Sequence, residues 1–118
     1  MTLWKGLRTV LKFNLGIRPK NAKQHINENL KVISNNLNLT ISDFKNGYKV
    51  PKVYGSPFMI AINNLTKQAE NIKDTKKDKF EMFLQEILSF VQREKTLKSD
   101  ILFYQKIKEV NKWVLKNL

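Results

Sequence analysis

Apolar and polar residues alternate along residues 9–17, TVLKFNLGI. The apolar positions lie two residues apart, a period that predicts a half-buried β-strand; they are Leu11, Phe13, Leu15 and Ile17. The pattern does not determine the first residue of this strand, because the apolar residues at positions 3–7 also fit a short helical turn. Residues 37–43, LNLTISD, alternate in the same way and predict a second strand.

Between these two strands the apolar positions change to a helical period. Along residues 21–36 they recur at spacings of three and four, which predicts one buried face of a helix; they are Ala22, Ile26, Leu30 and Ile33. Asn21 is a suitable N-cap, and Asn35-Asn36 predicts the helix end. A strand, a helix and a strand form a β-α-β unit with parallel strands and a right-handed crossover.

A third strand is predicted at residues 58–63, where the apolar run FMIAI follows Ser56-Pro57. Asn46-Gly47 predicts a turn before this strand and Asn63-Asn64 a tight turn after it. The polar residues 66–74 predict a short fourth edge strand or none. The pattern therefore predicts an α/β fold with a mixed sheet of three to four strands.

Two further helices are predicted in the C-terminal third. Residues 78–95 carry a broad apolar stripe after Asp78, a suitable N-cap, and residues 98–117 repeat apolar positions at helical spacing after Ser99 or Asp100. The last helix either packs on its own sheet or docks on a neighbouring subunit. For the second alternative the partner-binding residues are Leu102, Ile107, Val110 and Trp113.

Charge narrows the range of partners. The 118 residues suit one domain, and they contain 22 Lys+Arg against 10 Asp+Glu, a net charge of +12. The first acidic residue is Glu28. Such an excess favours RNA, DNA or an anionic membrane surface as partner, and the alternative is a basic protein kept soluble by its charge.

The predicted RNA-binding residues lie in the basic N-terminal half, where lysines can neutralise phosphates. In the loop that precedes Ser56-Pro57, Tyr48 and Tyr54 alternate with lysines, and aromatic rings can stack on unpaired bases. The predicted RNA-binding residues are Lys5, Arg8, Lys12, Arg18, Lys20, Lys23, Lys45, Lys49 and Lys52. For the loop, the alternative is a solvated basic segment whose tyrosines fold over the core.

Residues that carry catalysis or bind metals are scarce in the sequence. There is no cysteine and one histidine, His25, so a zinc site is not expected. The four glycines are scattered and form no phosphate-binding loop. We therefore expect no enzyme activity, no metal and no cofactor.

No apolar run approaches the roughly 18 residues that span a bilayer. The first 20 residues are similar to an organellar leader, but we expect them to be retained with Met1.

The order of predicted elements and several short motifs resemble a thioredoxin-like family of mitochondrial ribosomal proteins, whose domain is shared with a small accessory subunit of respiratory complex I. The motifs are LKFNLG, NNLNLTISDFKN, SPFMIAINN and KFEMFLQEIL, within residues 9–92. The chain departs from the family in its longer GYKVPKVYG loop, its weak fourth strand and its added C-terminal helix.

The resemblance implies a thioredoxin-like β-α-β-β-(β)-α core over residues 1–95, with residues 96–118 as a helical extension. The Ser56-Pro57 bond is then cis or trans with about equal weight. The resemblance also implies a non-enzymatic ribosomal subunit in the mitochondrial matrix, with rRNA and other ribosomal proteins as partners. The alternatives are an accessory subunit of a mitochondrial respiratory complex and a free bacterial or phage nucleic-acid-binding module.

Overall fold

The computed structural model describes residues 21–118, and these residues form four α-helices without any β-strand. A short 3-10 turn, Ala69–Asn71, follows the second helix. The helices are α1 Ala22–Lys45, α2 Ser56–Gln68, α3 Asp74–Gln92 and α4 Leu97–Asn117. The predicted α/β, thioredoxin-like fold with a mixed sheet is therefore wrong. The predicted first strand, residues 9–17, lies outside the described residues.

The predicted second strand is the last third of α1. In the helix, Leu37 and Ile41 continue the buried stripe of Ile33 at spacings of four, whereas Leu39 is 67% exposed. The period-two alternation thus contains one apolar residue that faces solvent. The helix continues through its asparagine-rich segment because a long buried stripe outweighs low local helix propensity. Within this segment, the side-chain nitrogen of Asn36 donates to the carbonyl of Val32.

The predicted third strand is helix α2. Phe58, Ala61 and Ile62 are buried at helical spacing, whereas Ile60 is 58% exposed. Pro57 lies in the first turn of α2, where the absence of an N–H costs nothing. No peptide bond in the described part of the chain is cis.

The tight turn predicted at Asn63-Asn64 is not formed, and no edge strand follows it in residues 66–74. Asn64, predicted to lie in a turn, is inside α2 and donates to Asn29 of α1 over 3.2 Å. Residues 66–74, the predicted edge strand, comprise the end of α2, the 3-10 turn and the start of α3, with Ile72 buried between them.

The sequence identifies the start of helix α1 correctly, but the end predicted at Asn35-Asn36 is wrong, because α1 continues to Lys45, just before the predicted Asn46-Gly47 turn. Asn21 forms a reciprocal capping box with Gln24, over 2.9 and 3.0 Å. At the other end Gly47 has φ +75°, and the N–H of Tyr48 donates to the carbonyl of Asp43 over 2.9 Å. This is a Schellman ending, in which glycine adopts the left-handed conformation without a Cβ clash.

The two C-terminal helices are confirmed, with shifted starts. Helix α3 begins at Asp74 rather than Asp78. Helix α4 is capped by Thr96, which accepts from the N–H of Ser99 over 3.1 Å, rather than by Ser99 or Asp100.

The four helices pack antiparallel around one buried cluster, to which α4 contributes as fully as α1. The side chain of Lys23 at the start of α1 contacts the end of α4, and Phe90 at the end of α3 stacks on Phe103 near the start of α4. Helix α2 packs on α1, and its Phe58 also contacts Phe103 of α4. The core includes Ile26, Leu30, Ile33, Leu37, Phe58, Leu65, Phe80, Phe83, Ile87, Phe103, Ile107, Val110 and Val114.

Candidate nucleic-acid interface

A groove between α1 and α4 encloses a volume of about 430 Å³. Its floor is apolar, formed by the buried Leu30 and Ile107. Its walls are polar and basic. We call it the α1–α4 groove; its lining residues are Asn27, Leu30, Lys31, Ser34, Asn35, Ile107, Lys108, Asn111 and Leu115.

Helical geometry brings these side chains together. On α1, Asn27, Lys31 and Asn35 are four residues apart and lie beside the buried stripe. On α4, Lys108 and Asn111 lie beside Ile107 and Val110 in the same way. Antiparallel packing of α1 on α4 therefore places the two polar flanks opposite each other.

The electrostatic character of the groove is positive. Two of its described lining residues, Lys31 and Lys108, are cationic and exposed, and none of them is acidic. The Nζ of Lys108 lies 5.4 Å from the ring centroid of Tyr104, a cation–π contact that limits where this ammonium can lie. The groove thus combines anion attraction with amide and hydroxyl groups that donate and accept hydrogen bonds.

One polar atom of the groove has an unused bonding capacity. The Oδ1 of Asn27 is buried and finds no hydrogen-bond partner among the described residues. A buried acceptor without a donor costs free energy, so the position favours an ordered water as donor.

Five of the predicted RNA-binding residues lie outside the described part of the chain: Lys5, Arg8, Lys12, Arg18 and Lys20. The sixth, Lys23, donates to the carbonyl of Leu115 over 3.3 Å, and Lys76 donates to that of Asn117 over 3.0 Å. These two cations satisfy carbonyls at the C-terminal end of α4 and complement its dipole. In the described structure the ammonium group of Lys23 is therefore engaged within the bundle.

The remaining three, Lys45, Lys49 and Lys52, are exposed around the loop between α1 and α2. Tyr48 in the same loop is 66% exposed. Tyr54 instead folds inward and stacks on Phe58 with ring centroids 4.2 Å apart. The structure therefore separates the two loop tyrosines: one remains open to a ligand and the other belongs to the core edge.

A buried ion pair holds the end of this loop. The hydroxyl of Tyr54 donates to Asp100 over 3.0 Å, and Lys95 donates to the other carboxylate oxygen over 3.1 Å. The side chain of Asp100 is fully buried and that of Lys95 is 5% exposed. Burial, and then the charge and hydrogen bond of Asp100, raise the pKa of Tyr54 well above its usual 10.0, so the phenol remains a donor.

The predicted partner-binding residues of α4 are divided between the core and the surface. Ile107 and Val110 are buried in the chain's own core, so they are not accessible to a partner in this structure. Trp113 is half-buried against Phe83, with ring centroids 5.6 Å apart. Leu102 is exposed.

Residues 21–118 contain neither a metal-binding cluster nor a membrane-spanning helix. No group of three or more His, Cys, Asp or Glu side chains there is placed to hold a metal ion. None of the described helices is long and apolar enough to cross a bilayer.

Comparison of the chain with family models, curated proteins and solved structures gives no match.

The sequence predicts the excess of positive charge but not the residues of the α1–α4 groove. The polar side chains at residues 27, 31 and 35 recur every four positions, which places them on one flank of a helix that continues beyond Asn36. That signal was hidden because the helix was expected to end at Asn35-Asn36. To predict that Lys108 and Asn111 lie opposite these side chains, one must know which helix packs on α1.

Proposed function

We propose that the protein is a non-enzymatic RNA-binding module whose α1–α4 groove holds a single-stranded segment. The observation that carries the proposal is the groove itself, in which two lysines, three asparagines and a serine surround an apolar floor without an acidic lining residue among those described.

Each part of the groove suits one part of a nucleotide. Lys31 and Lys108 neutralise phosphates and release counterions. The amides of Asn35 and Asn111 donate to and accept from base edges and the 2′-hydroxyl, which unpaired RNA exposes. The volume accommodates about one nucleotide unit, within the range of ligand pockets.

The ribosomal and mitochondrial expectations stay predictions. They depended on the resemblance to a thioredoxin-like family, and the helical bundle of residues 21–118 does not have that architecture. The charge and the groove support RNA binding independently of the resemblance.

The test is fluorescence anisotropy of a labelled single-stranded RNA titrated with the full chain at several salt concentrations. The variant Lys31→Ala/Lys108→Ala should bind more weakly. If both lysines contact phosphate, its plot of log K against log salt should be flatter by about 1.4 units, since each phosphate contact on a single strand contributes about 0.7.

The matched control is Lys67→Ala/Lys98→Ala, which removes two exposed lysines outside the groove. This variant should retain nearly the wild-type slope. Equal losses in the two double variants would show that only diffuse charge attracts RNA, and the groove would be rejected as the site.

A further inference from the structure

Exposed apolar side chains are concentrated where α1 meets the following loop. Leu39 on the outer face of α1 and Val53 in the loop line the same shallow cavity of about 230 Å³, and Val53 is 75% exposed. Val50 and Pro51 line this cavity as well, and Tyr48 lies two residues before Val50. We call Leu39, Lys45 and residues 48–53 the loop end of the bundle.

The same region carries three exposed cations. Lys45 is in the last turn of α1, and Lys49 and Lys52 alternate with the apolar loop residues. Asp43 is the acidic residue that lines the cavity, whereas the nearby Asp100 is paired internally with Lys95. At the loop end, the three cations Lys45, Lys49 and Lys52 therefore outnumber the one acidic residue that lines the cavity, Asp43.

Both ends of the loop are fixed in position. The Schellman ending at Gly47 sets the direction in which the chain leaves α1. At the other end, Tyr54 is held by Asp100 and by the ring of Phe58. The apolar and basic side chains between these points are thus presented on a constrained loop, which lowers the ordering cost of docking.

We propose that the loop end docks on an anionic lipid bilayer surface. Leu39, Tyr48 and Val53 enter the boundary between headgroups and acyl chains, where leaving water is favourable for apolar side chains. Lys45, Lys49 and Lys52 remain at the level of the negatively charged headgroups.

The chemistry of the loop end favours lipid over the other macromolecules. Aliphatic side chains such as Leu39 and Val53 offer no ring on which a base can stack, so RNA leaves most of this apolar surface unused. Protein interfaces are depleted in lysine, whereas the loop end contains three exposed lysines. A bilayer that carries acidic lipids matches both features at once.

The proposal does not depend on RNA binding in the α1–α4 groove. The groove lies along residues 27–35 of α1 and 107–115 of α4, and it shares no lining residue with the cavity at the loop end. Variants can therefore change one surface and leave the other intact.

The experiment is co-sedimentation of the full chain with vesicles of phosphatidylcholine alone or with about one-third phosphatidylserine. Wild-type protein should sediment with the anionic vesicles. Each lysine near an anionic surface strengthens binding about fivefold, so Lys45→Ala/Lys49→Ala/Lys52→Ala should weaken it on the order of 100-fold. The control Lys67→Ala/Lys112→Ala/Lys116→Ala removes the same charge elsewhere and should change binding by less than about tenfold.

The apolar contribution is tested separately by Leu39→Ser/Val53→Ser, with Leu88→Ser as a control leucine that is also exposed and lies in neither cavity. The double variant should lose about tenfold or more of the vesicle affinity that persists at high salt, because screening removes the contribution of the lysines first. Leu88→Ser should retain it. The circular dichroism spectrum should stay unchanged, since all three side chains are exposed.

Two results would overturn the proposal. The first is equal vesicle binding by wild type and both loop-end variants, which would assign membrane binding to other basic residues or to none. The second is a loss of RNA affinity in Leu39→Ser/Val53→Ser without vesicle binding by the wild type, which would assign the loop end to RNA.

Discussion

Replacement of Lys95 by methionine tests the buried network that anchors the loop to α4. The change keeps an unbranched chain of similar length next to the rings of Phe44 and Tyr54, which lie 5.6 and 5.0 Å from the ammonium nitrogen. It removes the positive charge and the hydrogen bond to Asp100. Packing is therefore largely conserved while the carboxylate of Asp100 loses its cation.

The magnitude follows from burial. Asp100 has no exposed surface and Lys95 has very little, and removal of one member of such a buried pair costs about 3–5 kcal/mol of unfolding free energy. The remaining hydrogen bond from Tyr54 and the position of Asp100 in the first turn of α4 soften the loss, because a helix N-terminus favours a negative charge by about 0.3–1 kcal/mol. We expect a loss of about 3 kcal/mol.

Urea unfolding followed by circular dichroism at pH 7 measures this change. Lys106→Met is the comparison, since its partners Glu86 and Glu109 are partly exposed, and such pairs contribute about 1 kcal/mol or less. The triple variant Tyr54→Phe/Lys95→Met/Asp100→Leu should regain most of the loss, because an apolar triad leaves no charge unpaired. A cost below about 1 kcal/mol for Lys95→Met would refute the reasoning that this pair behaves as a buried one.

Local patterns predicted the C-terminal half better than the middle of the chain. The stripes of α3 and α4 contain apolar residues at several consecutive turns, and both helices were found with starts shifted by one to four residues. In the middle, Leu39 and Ile60 each placed an apolar side chain at a position that faces solvent. Each one converted a helical stripe into an apparent strand pattern.

The choice between a strand and a helix at residues 37–43 depends largely on tertiary packing. Leu37 and Ile41 fit either a strand or a helix when taken alone, and only their continuity with Ile33 across Asn35-Asn36 favours the helix. Asparagine is a weak helix former, because its side chain competes for backbone groups. The packing of α1 on both α2 and α4 supplies the stabilisation that local propensity does not.

The candidate sites were predictable only in part. The basic, aromatic-containing loop was identified from Lys45, Lys49 and Lys52 with Tyr48, because these types are adjacent in sequence. The α1–α4 groove was not, since its two walls, residues 27–35 and 107–115, are 72 to 88 residues apart in sequence and meet only through the antiparallel packing of the helices.

Two further predictions test the helical assignment and the loop anchor. Leu37→Ala should cost about 2–5 kcal/mol in the same urea assay and Leu39→Ala less than about 0.5 kcal/mol, since only Leu37 is buried; similar costs would contradict the helical register. For Tyr54, the folded protein favours the neutral phenol, so its pKa lies above the value of 10.0 expected in the unfolded chain. The stabilisation is complete below pH 10 and declines as the pH rises above it, because the unfolded state then loses a proton that the folded state retains. Wild type should therefore lose stability faster than Tyr54→Phe between about pH 10 and 11. Parallel pH profiles would show that the phenol of Tyr54 is not held by Asp100.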